Sequence, residues 1–131
     1  MTKAFLGIVQ SHSQIRRFLI TGVINTAVHT CVAVTLIRAL NASPPSANVV
    51  AFTTATLVSY VLNTLWSFSR PLSGVTLTRF VTVAVVGAIV TAVVAGIADI
   101  LGAHYLVGIA CVAVTVAPIT FMLHKHWTYR T

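Results

Sequence analysis

Four long apolar stretches divide this chain, and each has the length of a membrane-spanning helix. They run roughly over 18–40, 47–66, 80–101 and 105–123. Because an α-helix rises about 1.5 Å per residue, about 20 apolar residues cross a hydrocarbon core that is about 30 Å thick. The sequence therefore predicts an all-α integral membrane protein with four transmembrane helices.

The composition argues against a water-soluble protein. Hydrophobic residues make up 57% of the chain and charged residues only 7%, against roughly 25% charged in an average soluble domain. Eight Lys and Arg residues stand against a single acidic residue, Asp99, for a net charge of +7. A basic nucleic-acid-binding protein needs a polar surface to carry its charges, and this chain lacks one. We therefore expect anionic membrane lipid or an anionic substrate as the partner, and no nucleic acid.

The connections between the stretches group the predicted helices into two hairpins. Pro44 and Pro45 interrupt the helix after the first stretch, and the turn at 102–104 is short enough to join two antiparallel helices. The middle connection, 67–78, is rich in hydroxyl residues, Pro and Gly, as loops are. We predict one membrane domain over 1–131, with a cytoplasmic juxtamembrane segment at 1–16, one hairpin at about 17–70 and a second at about 79–130.

Both predicted hairpins begin and end with the same residue types. Arg17-Phe18 at the start of the first hairpin recurs as Arg79-Phe80 in the second. Trp66-Ser67-Phe68 at the end of the first likewise recurs as Trp127-Thr128-Tyr129. This internal repeat predicts two parallel-repeat hairpins that cross the membrane in the same direction.

Positive charge is concentrated on one side of the predicted membrane. Only Arg38 falls on the side of the short turns, and the other basic residues are Lys3, Arg16, Arg17, Arg70, Arg79, Lys125 and Arg130. Because short cytoplasmic loops carry the excess of Lys and Arg, we expect both termini in the cytoplasm.

The reactive side chains exclude most enzyme chemistry. Catalysis by paired carboxylates is impossible with Asp99 alone, and His124 and His126 lie on different sides of a helix because they are two residues apart. Cys31 and Cys111 form no C-x-x-C pair and are interpreted as packing residues. The sequence also contains no P-loop. We therefore predict no catalytic residue, no metal and no cofactor, in a protein that is not an enzyme and is not driven by ATP.

Polar residues recur at helical spacing within the first two predicted spans. One face of the first span carries Thr21, Asn25 and His29, and one face of the second carries Thr56, Tyr60, Asn63 and Ser67. Polar groups inside a membrane are costly, and they mark either hydrogen bonds between helices or a functional path. We favour hydrogen bonding between helices for the threonines and for Ser59, whereas both interpretations stay open for Asn25 and Asn63.

Two charged residues fall at the ends of the spans that lie away from the basic clusters. Arg38 and Asp99 are interpreted as a charge pair, since each is otherwise a lone charge beside lipid. The alternative is a gate or a proton-coupled carboxyl group. Asp99 also ends a row of small residues with Gly87, Thr91 and Ala95, which we interpret as a packing seam.

The basic ends of the two hairpins carry similar clusters, at 63–70 and 124–130. Each cluster joins a polar or basic group, a Trp and a terminal Arg. The positive-inside rule and the aromatic belt explain either cluster alone but not their repetition. Guanidinium and amide donors at this depth suit a phosphate or diphosphate head group, which they bind by charge-assisted hydrogen bonds. The candidate residues for the lipid phosphate and the sugar are Arg17, Asn25, Asn63, Trp66, Arg70, Arg79, His124, Lys125 and Trp127.

These motifs resemble the GtrA-like family of small four-helix membrane proteins. The resemblance covers about 17–130 and rests on the order of Arg17-Phe18-Leu19, Gly22, Asn25-Thr26, Asn63-x-x-Trp66-x-Phe68, Arg79-Phe80 and Trp127-x-Tyr129. The family often has Arg at the position of Thr64. The second copy reads His124-Lys125 in place of Asn-Arg, which makes Lys125 the favoured phosphate contact.

Members of that family are implicated in moving polyprenyl-phosphate-linked sugars from the cytoplasmic to the outer leaflet, often alongside a polyprenyl-phosphate glycosyltransferase. The resemblance implies a flippase for a polyprenyl-phosphate-linked monosaccharide, which serves cell-envelope polysaccharide glycosylation in the bacterial cytoplasmic membrane. Four short helices enclose little space. The expected partners are therefore membrane lipid, the lipid-linked sugar, and either further copies of the chain in a homo-oligomer or the glycosyltransferase.

Two other functions are weighed against translocation. A membrane anchor or scaffold for the glycosyltransferase would dock through its basic cytoplasmic edge and would not need the polar residues inside the membrane. A small multidrug transporter has a similar size and four helices, but it binds cations through a membrane-embedded Glu in its first helix. This chain contains no Glu, so cationic drugs are poor candidates.

Overall fold

The computed structural model describes residues 3–130, and within that range the chain contains helices and turns but no β-strand. The helices are α1 (Lys3–Leu40), α2 (Pro44–Leu62), α3 (Gly74–Ile100) and α4 (Tyr105–Leu123). Short π-helical segments extend α2 over Asn63–Ser67 and α4 over His124–Thr128. All four helical stretches are long and apolar enough to cross a membrane, which confirms the predicted all-helical membrane protein. The predicted domain limits also include residues 1, 2 and 131, which lie outside the described range.

The chain divides into two compact units, one up to Leu72 and one from Ser73 onward. In the first, α1 packs against α2 and its π-helical segment, and in the second α3 packs against α4 and its π-helical segment. We call these units the first and second hairpin, and each is described by itself. The end of a hairpin that lies away from its turn is called its open end.

Each hairpin turns at a residue with a left-handed backbone. In the first hairpin this residue is Asn41, with φ 51°, and asparagine is one of the few residues that tolerate such a conformation. In the second it is Gly102, with φ 69°. The amide of Ala103 donates to the carbonyl of Ala98 at 3.0 Å and the amide of Gly102 to Asp99 at 2.9 Å. These two bonds satisfy carbonyls that the end of α3 leaves without helical partners.

Helix α1 begins well before the predicted span. It includes Lys3 to Gln14, because this segment contains no Pro and consists largely of residues that tolerate a helix. The helix has 38 residues, which corresponds to about 57 Å at 1.5 Å per residue. Since the hydrocarbon core is about 30 Å thick, a large part of α1 lies outside it.

The side chains are distributed as expected for a protein surrounded by lipid. Most large apolar side chains, such as Val23 and Ile100, point away from their hairpin and are exposed, whereas small residues line the contact between helices. In the first hairpin, Ala47, Ala51 and Ala55 are buried at four-residue spacing along α2. Small residues let the backbones of two helices approach closely, which is how membrane helices gain contact energy.

In the second hairpin, α3 and α4 approach each other closely at Gly87, in the small-residue row of α3. A Cβ atom added at this position would lie 3.1 Å from Cγ2 of Thr120 and 3.7 Å from Cγ1 of Val116. Towards the turn, a Cβ added at Gly108 would lie 3.6 Å from Cβ of Ala98. Small residues of α3 therefore face α4 at both levels.

Candidate functional site

The open end of the first hairpin is closed by an arginine that binds the backbone of the opposite helix. Nη1 of Arg17, on α1, donates to the carbonyl oxygen of Trp66 at 2.9 Å. The guanidinium carbon lies 5.8 Å from the centroid of the Trp66 ring, within the range of a cation–π contact. Carbonyls in the last turn of a helix have no helical N–H partner, so Arg17 supplies the missing donor.

The second hairpin repeats this arrangement. Nη1 of Arg79 donates to the carbonyl oxygen of Trp127 at 3.1 Å, and its guanidinium carbon lies 5.9 Å from the centroid of the Trp127 ring. We call the pairs Arg17–Trp66 and Arg79–Trp127 the Arg–Trp clamps. A guanidinium has five N–H donors, and each clamp uses one of them in the bond to the Trp carbonyl.

The clamps add a structural role to residues that the sequence analysis placed in a phosphate site. Both arginines are half-buried, while both tryptophans keep exposed indole rings. Each clamp therefore holds its hairpin closed and presents an aromatic surface outward. The assignment of all four residues to substrate binding stays a prediction.

Beneath the first clamp, the interior of the hairpin is polar. The hydroxyl oxygens of Thr21 and Ser67 lie 3.5 Å apart across the two helices, and both residues are buried. One turn further in, Nδ2 of Asn63 donates to Oγ of Ser59 at 3.1 Å. The side-chain oxygens of Asn63 and of Asn25, on α1, are buried without a hydrogen-bond partner.

Beneath the second clamp, the interior is aromatic instead. The ring of His124 stacks on Phe80 with centroids 4.4 Å apart and an interplanar angle of 16°, and Tyr129 lies 6.0 Å away at a tilted angle. Nδ1 of His124 forms a 3.0 Å hydrogen bond with the hydroxyl of Thr128. His124 is buried in this cluster, so its observed contacts are structural.

The remaining basic candidates, Arg70 and Lys125, are both half-buried. The backbone amide of Arg70 donates to the carbonyl of Thr64 at 2.7 Å, which fixes the chain as it leaves the first hairpin. Nζ of Lys125 lies 6.0 Å from the centroid of Phe121, at the limit of a cation–π contact. Arg70 belongs to the first hairpin and Lys125 to the second.

Arg38 and Asp99 lie near the turn ends of their respective hairpins and are both exposed. Asp99 lines a cavity of about 650 Å³ within the second hairpin, together with Thr91, His104 and Gly108. Arg38 belongs to the first hairpin and Asp99 to the second. Their pairing stays a prediction.

Sequence reasoning missed several contacts that shape these ends. Phe80 was noted only as part of the repeated Arg-Phe motif, although its ring packs on His124. Ser59 was interpreted only as a helix-packing hydroxyl, although it accepts the amide of Asn63. The spacing contained a signal for both intrahelical pairs, because Ser59 and Asn63, like His124 and Thr128, are four residues apart and share a helix face.

These observations define a multi-pass integral membrane protein in which each hairpin ends in an Arg–Trp clamp. The chain belongs to the family described as GtrA/DPMS, transmembrane domain, whose model matches residues 17–129, and the predicted GtrA-like resemblance is thereby confirmed. No curated protein and no solved structure matches the chain significantly. Membrane domains of this family are generally non-catalytic, and membership connects the protein with the handling of polyprenyl-phosphate sugars.

Proposed function

We propose that this protein moves a polyprenyl-phosphate-linked monosaccharide from the cytoplasmic to the outer leaflet of a bacterial cytoplasmic membrane, for cell-envelope polysaccharide glycosylation. The observation that carries this proposal is the polar interior of the first hairpin, which lies directly beneath a guanidinium group at its open end. The guanidinium is suited to a phosphate, and the hydroxyl and amide groups are suited to a sugar. Family membership supports the same substrate class.

The phosphate is bound by basic side chains at an open end. The first hairpin offers Arg17 and Arg70, and the second offers Arg79 and Lys125. Charge-assisted hydrogen bonds are about twice as strong as neutral ones, and a guanidinium fork matches two phosphate oxygens at once. Because the two Arg–Trp clamps are alike and both clusters end in an arginine, Arg70 and Arg130, the assignment between the hairpins depends on Lys125, whose equivalent in the first hairpin is Thr64.

The sugar crosses along the polar interior of the first hairpin while the polyprenyl chain stays in lipid. A hydroxyl group that enters hydrocarbon without a hydrogen bond loses several kcal/mol, roughly 4–8 on a cyclohexane scale. Thr21, Ser67, Asn63 and Asn25 offer hydrogen bonds at successive levels of the first hairpin. These residues lower the cost of passage where a purely apolar helix pair would not.

A leaflet assay tests the proposal. Purified protein is reconstituted into liposomes with a fluorescent polyprenyl-phosphate-glucose analogue. The fraction of the analogue that is accessible in the outer leaflet is followed with time. We expect protein-dependent flipping, and we expect Lys125→Ala or Arg70→Ala to slow it roughly tenfold to a hundredfold, because a hydrogen bond to a charged group contributes about 1.5–3 kcal/mol. His126→Ala is the matched control for Lys125, since it removes an exposed neighbour. Flipping that is unchanged in both basic variants would contradict the phosphate site.

A second candidate function, a membrane anchor for a polyprenyl-phosphate glycosyltransferase, is favoured by the N-terminal part of α1. Phe5, Ile8 and Val9 are exposed there and share one helix face, on the part of the helix that precedes the predicted span. Capture of a glycosyltransferase by this protein without any flipping activity would support the anchor. Its disruption by Phe5→Ser with Ile8→Ser would locate the docking face.

We also propose that both termini are cytoplasmic, which the distribution of Lys and Arg favours. In a background with Cys31→Ala and Cys111→Ala, the exposed loop residues Leu72 and Ser43 provide two labelling positions. We expect an impermeant maleimide added to intact cells to label Ser43→Cys and not Leu72→Cys. The reverse pattern would show that both termini lie outside the cytoplasm. Equal labelling at both positions would indicate a mixture of molecules with the two orientations.

A further inference from the structure

A row of exposed residues runs along α1 on a different face from Thr21, which points to α2. Its members recur at alternating steps of three and four residues, as the a and d positions of a heptad do. The row begins with Phe5, Ile8, His12, Ile15 and Leu19 and continues into the predicted span with Gly22 and Thr26. The four apolar side chains are each between 38% and 57% exposed. We call these seven positions the α1 seam.

The first part of the α1 seam lies outside the hydrocarbon core. Arg16 and Arg17 precede the predicted span, and the Trp66 ring lies near the Arg17 guanidinium, as basic and aromatic residues do at a membrane boundary. Phe5 and Ile8 lie about two to three helical turns before this boundary, so lipid tails do not cover them. A run of apolar side chains exposed to water marks an interaction surface.

The second part of the α1 seam has room for another helix. A Cβ atom added at Gly22 would meet no described atom within 4 Å, so nothing in its own hairpin requires a glycine there. Glycine is unfavourable in the middle of a helix. Four residues on, the hydroxyl of Thr26 donates to the carbonyl of Gly22 at 3.0 Å, which satisfies it within α1. Small residues at this spacing let membrane helices approach each other closely.

We propose that the α1 seam binds the α1 seam of a second copy of this chain, as a parallel pair of helices. Two copies in the same membrane orientation are related by a two-fold axis along the membrane normal, so the same surface meets on both. Each a or d residue then lies opposite its own equivalent, in register along the whole seam. A polar residue at a single a position fixes such a register, and His12 holds that place.

The distribution of charge on α1 favours an identical partner. The charged residues in 3–30 are Lys3, Arg16 and Arg17, and none of them belongs to the seam. Two identical seams therefore meet without like charges opposite each other. Arg16 flanks the seam at an e position, which faces a g position of the other helix. The g position concerned is Ser11 of the second copy, so the guanidinium meets a hydroxyl group.

The mass of the purified full-length protein in detergent tests the pairing. Light scattering during size-exclusion chromatography is expected to give two chains per particle. We expect Gly22→Leu to raise the dissociation constant of the dimer roughly tenfold or more, because the side chain separates the helices. The hairpin itself has space for this leucine. Gly7→Leu is the matched control, since an added Cβ there also meets nothing within 4 Å but Gly7 lies off the seam.

Disulfide cross-linking in the membrane tests the register. In a background with Cys31→Ala and Cys111→Ala, Ile15→Cys is expected to form a disulfide-linked dimer on mild oxidation, because equivalent seam residues face each other. Gln10→Cys is the matched control. Gln10 is exposed like Ile15 but lies at an f position, on the opposite side of α1 from the seam.

The outcomes are independent of translocation, because neither experiment measures flipping. A monomeric protein, or equal dimerisation of the Gly22→Leu and Gly7→Leu variants, would overturn the inference and leave the proposed function standing. Equal cross-linking of Ile15→Cys and Gln10→Cys would overturn it as well. Cross-linking of Ile15→Cys to a co-expressed glycosyltransferase in place of a second copy would also overturn it, in favour of the anchor.

Discussion

Alanine at Arg17 or Arg79 is expected to loosen the open end of its hairpin and to slow flipping by at least tenfold. Each side chain donates to a Trp carbonyl and lies near the same Trp ring. A hydrogen bond from a charged group contributes about 1.5–3 kcal/mol, and an exposed cation–π contact about 0.5–1 kcal/mol. The loss is measured as the flipping rate in liposomes and as the midpoint of thermal unfolding in detergent.

The chain contains only two tryptophans, one in each clamp, so indole fluorescence reports the clamps separately. With Trp127→Phe as background, Arg17→Ala is expected to shift the emission of Trp66, and Arg79→Ala is expected to leave it unchanged. Trp66→Phe gives the converse experiment for Trp127. The same shift from either arginine would show that the clamps are not local structures.

Arg16→Ala is the matched control for the first clamp. Arg16 carries the same charge and precedes Arg17, but it is exposed. If Arg16→Ala slows flipping as much as Arg17→Ala, net positive charge explains the effect and the clamp does not. Arg17→Lys separates the two properties further, because lysine keeps the charge but lacks the planar fork. We expect it to recover only part of the rate.

The sequence predicts the spans and the paired motifs because both follow from local rules. Apolar length predicts a membrane helix, and Pro44 and Gly102 predict the turns by their backbone preferences. The same rules do not predict where α1 begins. The segment from Gln10 to Ser13 is polar, so hydropathy alone begins the first span after it, whereas an α-helix tolerates polar residues wherever they meet water.

The site was less predictable because its contacts involve backbone atoms and side-chain orientation. The sequence places Arg17 near a predicted phosphate, but it gives no sign that the guanidinium bonds to a carbonyl oxygen 49 residues away. It identifies Asn25 and Asn63 as polar residues inside the membrane, but not which amide atom lies unpaired. The burial of these amide oxygens without a partner depends on how α1 and α2 pack, which only the structure specifies.

The two hairpins share their clamps but differ in the residues that the clamps enclose. Thr21 and Val83 are the buried residues one turn after Arg17 and Arg79, and they set the polarity of each interior. The first hairpin continues with Asn63, and the second places His124 against an aromatic ring. An aromatic cluster packs well without a ligand. The buried amide oxygens of the first hairpin lack a hydrogen bond, and burying a polar group without one costs free energy. This difference is the reason why we propose the first hairpin as the path of the sugar.

Leucine at Gly87 is expected to separate α3 from α4 and to lower the stability of the second hairpin. Even a Cβ atom there would lie 3.1 Å from Cγ2 of Thr120, so the larger side chain has no room unless a helix moves. Overpacking of a tight contact costs roughly 1–3 kcal/mol, and occasionally more. Thermal unfolding in detergent measures the loss. Gly96→Leu is the matched control, because an added Cβ there meets nothing within 4 Å.

A compensating pair tests whether the contact itself is responsible. Gly87→Ala alone is expected to destabilise the hairpin mildly, since the Thr120 methyl must move by a few tenths of an ångström. Thr120→Ser removes that methyl and keeps the hydroxyl that donates to the carbonyl of Val116 at 2.8 Å. The double variant is therefore expected to unfold at a higher temperature than Gly87→Ala alone. If Thr120→Ser does not rescue Gly87→Ala, or if Gly96→Leu is as harmful as Gly87→Leu, close approach of the two helices at Gly87 does not stabilise the second hairpin.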